Sequence, residues 1–487
     1  MIKLSIGKKI LLITTGTFAG ILLVAYLVLS AFYNNHFYYG TWIGELNCGG
    51  KDPEAVKQLI RENASRYTLL INGREGMQGQ IRAEDIGLEY QFDGTLEKIA
   101  EEQNGFAWIS AFWNQPQYQM PIMVSYEEDL LQQRLEGMLM FQPENMKPPC
   151  NAKISEYNII SNCYEILEEY PGTTLIRKKA EEAVRTALSQ LQDELSLEES
   201  SCYKRPSVTK EDSALNQFCR KLNKYVSTQV RYNWNGGEEV IDGDQVSGWL
   251  DIDFDNYSVE INTERVRKYV DNLSKIHDTY GKARLFQTTT GEEVVIKGGN
   301  YGWRADREGE TEALLRIVRA GLQIDREPIY LFEANVEGRD DIGGSYVEID
   351  LTNQHLYLYV DGELITESDF VSGNLARGFG TPDGVYGLTY KTRDAILRGQ
   401  NYETPVKYWM PFNGNIGMHD ASWRRKFGGD IYKTSGSHGC INLPPEAAET
   451  IYEYVYKGFP VVCYFGSEWE EEGNEEIKED VENRESD

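Results

Sequence analysis

The residues with the clearest chemistry lie in one short stretch, Gly436-Ser437-His438-Gly439-Cys440-Ile441-Asn442. A further histidine, His419, precedes Ser437 with 17 residues between them. A thiol attacks as the thiolate, and a neighbouring imidazole can take its proton or stabilise the anion. Gly439 permits a tight backbone shape in which amide N–H groups face a developing oxyanion. The pattern also predicts a helix just after Cys440, whose N-terminal dipole would favour an ionised sulfur. One stretch can thus supply nucleophile, base and oxyanion donors. A histidine two residues before a cysteine is a weak signal alone, but the whole string with a preceding histidine is far more specific. The same His419, His438 and Cys440 could instead ligate zinc, with water in the fourth position. Gly378-Phe379-Gly380 lacks the third glycine of a dinucleotide loop and reads as a turn among strands.

The string Ser437-His438-Gly439-Cys440-Ile441-Asn442, with His419 before it, resembles the signature of the L,D-transpeptidase catalytic domain, a cysteine enzyme of peptidoglycan synthesis. The flanks are similar too: Tyr346 to Val360 resembles the family's opening hairpin, and Thr381-Pro382-Asp383-Gly384 its Thr-Pro-x-Gly turn. Tyr408 to Phe412 and Trp423-Arg424 extend the likeness, which covers about 343–466. The resemblance implies that Cys440 attacks a tetrapeptide stem at its third residue, releases D-Ala and forms a thioester. An amine of a second stem then resolves the thioester and cross-links the wall. It implies His419 as general base, with His438 and Gly439 shaping the site and its oxyanion hole. Ser437 and Asn442 would support the loop and, with Trp423 and Tyr408, contact substrate. No metal and no cofactor is implied. Asp420 stands where the family often has serine. A backbone carbonyl orienting His419 would make that change harmless, whereas a required hydroxyl would not, and a carboxylate there could raise the imidazolium pKa. Water as acceptor would make the same chemistry an L,D-carboxypeptidase, and a protein amine would make it a wall anchor. A wall-binding scaffold without activity is the rival of a different class.

The elements that must position these residues read as strands. Val347, Ile349 and Leu351 alternate with polar residues, as do Leu356, Leu358 and Val360, and Asp361-Gly362 supplies a tight hairpin turn. One helix closes this unit, with Pro444-Pro445 at its start and Gly458 at its stop, and the strand Val461 to Phe465 follows. The expected fold is a C-terminal, mainly β sandwich over 343–466.

Upstream, residues 37–335 read as mixed α/β material with weak internal repetition: Gln80 to Ile86, Val240 to Val246 and Val295 to Tyr301 each run strand into turn. Ala183, Val184, Ala187, Leu188 and Leu191 form one helical stripe; Val266, Tyr269, Val270 and Leu273 form another after Thr263, the expected N-cap. Gln142 to Pro149 reads as a linker. This region resembles the wall-binding module preceding the catalytic domain in longer Gram-positive members, beginning near Thr41 to Gly50.

Residues 10–33 carry no charge, while Lys3, Lys8 and Lys9 precede them. Twenty apolar residues suffice to cross a bilayer, and no small-residue cleavage site ends the run. The expectation is an uncleaved anchor, with residues 1–9 in the cytoplasm by the positive-inside rule and the catalytic domain outside, facing the wall. Of 487 residues, 77 are acidic and 49 basic, a formal charge of −28 that excludes a general nucleic-acid binder. Residues 467–487 hold 11 of those acids and read as a disordered tail. Outside the cytoplasm the seven cysteines are free to pair, with Cys202–Cys219 and Cys150–Cys163 as candidates. The oligomeric state is not legible.

Overall fold

The computed structural model describes residues 6–121, 123–399 and 402–466. The acidic tail expected over 467–487 lies outside the described residues. The chain forms two compact units, one of residues 1–153 with 167–212 and the other of 154–166 with 213–487.

The first unit begins with the helix Ile6–Phe32, 27 residues long and apolar enough to cross a membrane. The helix Pro53–Ser65 starts where Asp52 accepts a hydrogen bond from the Ala55 N–H at 2.7 Å and proline occupies the first turn. The hairpin Thr68–Asn72 with Gln78–Arg82 follows, then the antiparallel pair Glu89–Tyr90 with Val124–Ser125 and the helix Glu128–Glu136. The helix Arg177–Ser189 buries Ala180, Val184, Ala187 and Leu188, the expected stripe. Its strand Glu194–Ser196 returns parallel to Thr68–Asn72. Residues 142–149 are no linker: Met146 packs on this core, and the Lys147 N–H donates to Thr173 Oγ1.

The second unit repeats that order. The helix Ser213–Val226 leads into the hairpin Gln229–Trp234 with Gly237–Ile241, and the turn between them has positive φ at Asn235 and Gly236. The pair Leu250–Asp253 with Ser258–Ile261 and the helix Thr263–His277 come next, then the helix Arg307–Ala320. The strand Gln323–Arg326 returns parallel to Gln229–Trp234. Each three-stranded sheet therefore has its first strand in the centre, one antiparallel and one parallel neighbour. Two of the three weak sequence repeats fall on equivalent strands, Gln78–Arg82 and Gly237–Ile241. The third falls on Glu293–Ile296, in a different hairpin, so the repeat is twofold and larger than the motif. The helix Thr263–His277 is capped by Asn262 rather than Thr263, the Asn262 side chain accepting from the Arg265 N–H.

The C-terminal part is a sandwich of two sheets. One runs in the order Glu363–Asp369, His355–Val360, Tyr346–Asp350, Pro460–Tyr464, Gly384–Gly387. The other runs Thr392–Gly399, Tyr402–Asn413, Ile416–Asp420, Ile441–Leu443. Asp361 and Gly362 turn the first hairpin with φ of 53° and 83°. Val347, Ile349, Leu356 and Leu358 from the first sheet meet Met410, Phe412, Met418 and Ile441 from the second. The helix Pro445–Tyr454 covers this core with Ala448 and Ile451.

Candidate active site

Residues 416–420 and 441–443 are neighbouring strands in parallel register, which sets His419 beside Asn442. Residues 421–440 join the two strands, and this pairing brings their ends together. The loop that enters the second strand carries Ser437 to Cys440.

His419 is almost fully buried, and its Nδ1 lies 2.9 Å from the carbonyl oxygen of Asp420. A carbonyl only accepts, so Nδ1 carries the proton and the lone pair is on Nε2. The Asn442 amide has one orientation that satisfies both neighbours. Its nitrogen donates to His419 Nε2 at 3.0 Å, and its oxygen accepts from Arg424 Nε at 2.8 Å and Arg424 Nη2 at 3.3 Å. Arg424 also donates to the Ser435 carbonyl at 3.1 and 3.0 Å. Burial holds the His419 pKa below its ordinary value, and the Arg424 charge adds to this; Asp420, through its carbonyl and its charge, opposes both. The Asp420 carboxylate accepts from the Lys407 and Tyr408 amides at 2.7 and 2.8 Å. Asp420 thus holds the imidazole with its carbonyl and the neighbouring strand with its side chain.

Cys440 Sγ sits 3.5 Å from the Asn415 carbonyl oxygen. Burial pushes the thiol up to about 11, opposed by the Gly417 N–H directed at the sulfur. The expected helix starts where its prolines predict, at Pro445. The strand Ile441–Leu443 lies between Cys440 and this helix in the chain, so the helix does not follow the nucleophile directly.

The loop shape rests on glycine and two hydroxyls. Gly439 has φ of +115°, and a Cβ there would press on the Ile416 side chain at 3.2 Å. Ser437 Oγ accepts from the Gly439 N–H at 3.0 Å and donates to the Cys440 carbonyl at 2.5 Å. Thr381 Oγ1 accepts from the Gly373 N–H at 3.0 Å and donates to the Gly439 carbonyl at 2.7 Å. The Gly439 amide is therefore engaged within the loop. The Cys440 N–H has no acceptor among the described residues and is the free donor beside the sulfur. His438 packs against Phe379 with ring centroids 4.8 Å apart.

Trp423 is half exposed, with its ring 5.9 Å from His419. Tyr408 does not join the site: it lies in the sandwich core with its hydroxyl bonded to Glu449. Its neighbour Trp409 approaches His419 instead, at 6.0 Å between rings. Side chains alternate along a strand, so a one-residue step changes face. Sequence reasoning missed Thr381, Arg424 and Trp409 as site-building residues, although each lies within a stretch whose likeness to the family was already visible. All seven cysteines are free thiols, and neither candidate pair is joined.

Residues 344–463 match the YkuD family, the L,D-transpeptidase catalytic domain. Residues 211–325 match a family described as a peptidoglycan binding domain. No curated protein matches the chain. A crystal structure of a cysteine-to-serine mutant of Enterococcus faecium L,D-transpeptidase is 36% identical, covering 50% of this chain and 98% of that one, with a TM-score of 0.43. The Ldtfm–avibactam carbamoyl enzyme is also 36% identical, covering 51% of this chain and 98% of that one, with a TM-score of 0.44. The E. faecium catalytic domain in solution is 44% identical over 25% of this chain and 96% of that one, with a TM-score of 0.23. With 36% identity along 98% of the E. faecium enzyme and a catalytic-domain match over 344–463, the chain belongs to the L,D-transpeptidase family.

Proposed function

We propose that this chain is a membrane-anchored peptidoglycan L,D-transpeptidase that uses Cys440 as nucleophile and His419 as base. The carrying observation is the His419 imidazole, neutral by burial with its lone pair on Nε2, beside the loop that presents Cys440 and an unengaged Cys440 N–H. Asn442 occupies Nε2 in the resting site, so its amide gives way as a stem peptide seats. The Sγ proton passes to Nε2 while sulfur bonds to the carbonyl carbon of the stem's third residue. The Cys440 N–H faces the oxyanion. The C–N bond to D-Ala breaks, and the imidazolium gives its proton to the departing amine. An amine of a second stem then forms the new C–N bond, the C–S bond breaks, and Cys440 is reprotonated. Trp423 flanks the imidazole where substrate enters.

The helix Ile6–Phe32 serves as the anchor, with Lys8 and Lys9 on the cytoplasmic side and both units facing the wall. Residues 211–325 hold the wall polymer. The test is mass spectrometry of disaccharide-tetrapeptide incubated with the full chain in detergent, beside Cys440→Ala and His419→Gln. A dimer lacking one D-Ala, absent with both variants, supports the reading. Loss of D-Ala without dimer moves the activity to carboxypeptidase. Equal product from Cys440→Ala and wild type refutes the nucleophile.

A further inference from the structure

A second surface, remote in sequence from the catalytic loop, carries a different chemistry. From Gln103 to Tyr126 there are 24 consecutive residues without a charge, in a chain where 26% are charged. Within this run Gly105–Phe112 winds as tight helical turns beside the last turns of Ile6–Phe32. The Tyr26 hydroxyl donates to the Phe106 carbonyl at 2.6 Å. Trp108 fills the angle between the two segments, stacked on Tyr33 at 5.7 Å and 6.2 Å from Tyr26. Much of the segment stays open: Trp113 is 81% exposed, Phe106 and Phe112 57% each, and Ile109 40%. Tyr39 stacks on Phe112 at 5.6 Å and extends the patch.

A water-facing surface rarely keeps aromatic residues so contiguous and so open. The depth of the patch indicates what covers it. A 27-residue helix is about 40 Å long, against about 30 Å of hydrocarbon in a bilayer. Counted from Lys9, the hydrocarbon ends roughly 20 residues on, near Leu29. Tyr26 then lies just inside the outer boundary, and Phe106, bonded to it, lies at the same level. That is the zone where tryptophan and tyrosine gather. The run carries no lysine or arginine, so its affinity comes from apolar burial and not from anionic headgroups.

We propose that residues 105–113 form an interfacial foot, inserted into the headgroup–acyl boundary of the outer leaflet beside the anchor. The proposal rests on the anchor reading, and its test separates the two. The spanning helix contains no tryptophan among the nine in the chain. Full-length protein is reconstituted in phosphatidylcholine vesicles, with and without bromine on the acyl chains near the headgroup, and tryptophan emission is compared. The expected result is weaker emission in brominated vesicles. The difference disappears in the doubly substituted Trp108→Phe, Trp113→Phe chain, which keeps the aromatic contacts. An alkaline carbonate wash reads the anchor independently. Retention after the wash with no quenching overturns the foot and leaves the anchor standing. Quenching with loss on washing upholds the foot and overturns the anchor, and neither signal overturns both. Equal quenching in wild type and the double variant assigns the contact to other tryptophans and overturns the foot. So does an unquenched chain that cross-links to a second copy through this patch.

Discussion

The resting protonation state of the site has a consequence that pH can test directly. Cys440 is pushed up to about 11 and burial holds the His419 pKa down, so both shifts favour neutral thiol and neutral imidazole. At pH 7 a thiol four units below its pKa is thiolate in about one molecule in ten thousand, against about three in a hundred for an ordinary cysteine. A more basic thiolate is intrinsically more nucleophilic, which returns roughly tenfold of that roughly 300-fold deficit. Cys440 should therefore react with iodoacetamide about 30-fold more slowly than an open thiol at pH 7. Its rate should climb nearly tenfold per pH unit as far as about pH 10. Cys150 is exposed and supplies the reference thiol in the same sample. The assay is peptide mass spectrometry of timed alkylation across pH 5 to 10, read as the ratio of Cys440 to Cys150. A Cys440 rate that is flat from pH 5 to 8 and faster than Cys150 would reveal a preformed thiolate–imidazolium pair. That outcome refutes the argument that proton transfer accompanies substrate attack.

Thr381→Val keeps the side-chain shape but strands the Gly373 N–H and the Gly439 carbonyl, each at about 1–3 kcal/mol. The melting transition of the catalytic part should fall by at least about 4 °C, and Thr381→Ser should restore most of it, as calorimetry can show; unchanged melting of the valine variant contradicts the bonding described. Gly373→Ala would place a Cβ 1.8 Å from the Phe379 carbonyl oxygen and 2.9 Å from Gly439 Cα, both backbone. It should abolish thioester formation, whereas Gly380→Ala, which meets only the Leu375 side chain at 3.1 Å, should leave most of it; a single-turnover assay by mass spectrometry decides. Asn442→Asp offers Nε2 an anionic acceptor in place of an N–H donor, which favours the imidazolium. The neutral base is then lost at a higher pH as the medium is acidified, so the acid limb of the pH–rate profile moves upward. An NMR titration of His419 that moves downward or not at all would show that Asn442 does not face Nε2.

What the sequence disclosed was local. The string around Cys440 is seven residues long, and the Asp361-Gly362 hairpin needs only two residues with positive φ. Both are legible without knowing what lies opposite. The bonds that build the site are not of that kind. Asn442 meets His419 because two strands pair in parallel, and Arg424 reaches Asn442 from a loop beyond the first of them. Thr381 holds Gly439 across 58 residues of chain. The start of the last helix is legible in Pro444-Pro445, but not that Ile441 and Leu443 form a core strand between it and Cys440. Tyr408 and Trp409 were indistinguishable as an aromatic pair until the strand register fixed which one faces His419. The twofold module was visible only as a faint echo, because strand order repeats there while residue identities do not.

The segment that matches the peptidoglycan binding family and the catalytic sheets also share a core, which no stretch of sequence could announce. The hairpin Arg284–Gln287 with Glu293–Ile296 contributes Phe286, Val294 and Ile296 to a cluster with Val385, Val462 and Tyr464. Glu348, fully buried, accepts from the Thr289 N–H at 2.9 Å, Thr289 Oγ1 at 2.6 Å and the Tyr464 hydroxyl at 2.7 Å. Asp341, equally buried, accepts from Arg284 at 2.7 and 2.8 Å. Asn300 donates to the Phe412 carbonyl and accepts from the Gly387 N–H, and so ties the hairpin to both sheets. Separating the hairpin from the sheets would strip buried Glu348 of its two Thr289 donors, each loss costing about 1–3 kcal/mol. A flexible tether would let the catalytic loop sample many distances from a bound strand. A shared core with buried carboxylates instead fixes that distance, so polymer held as proposed by residues 211–325 would meet the Cys440 loop at one reach.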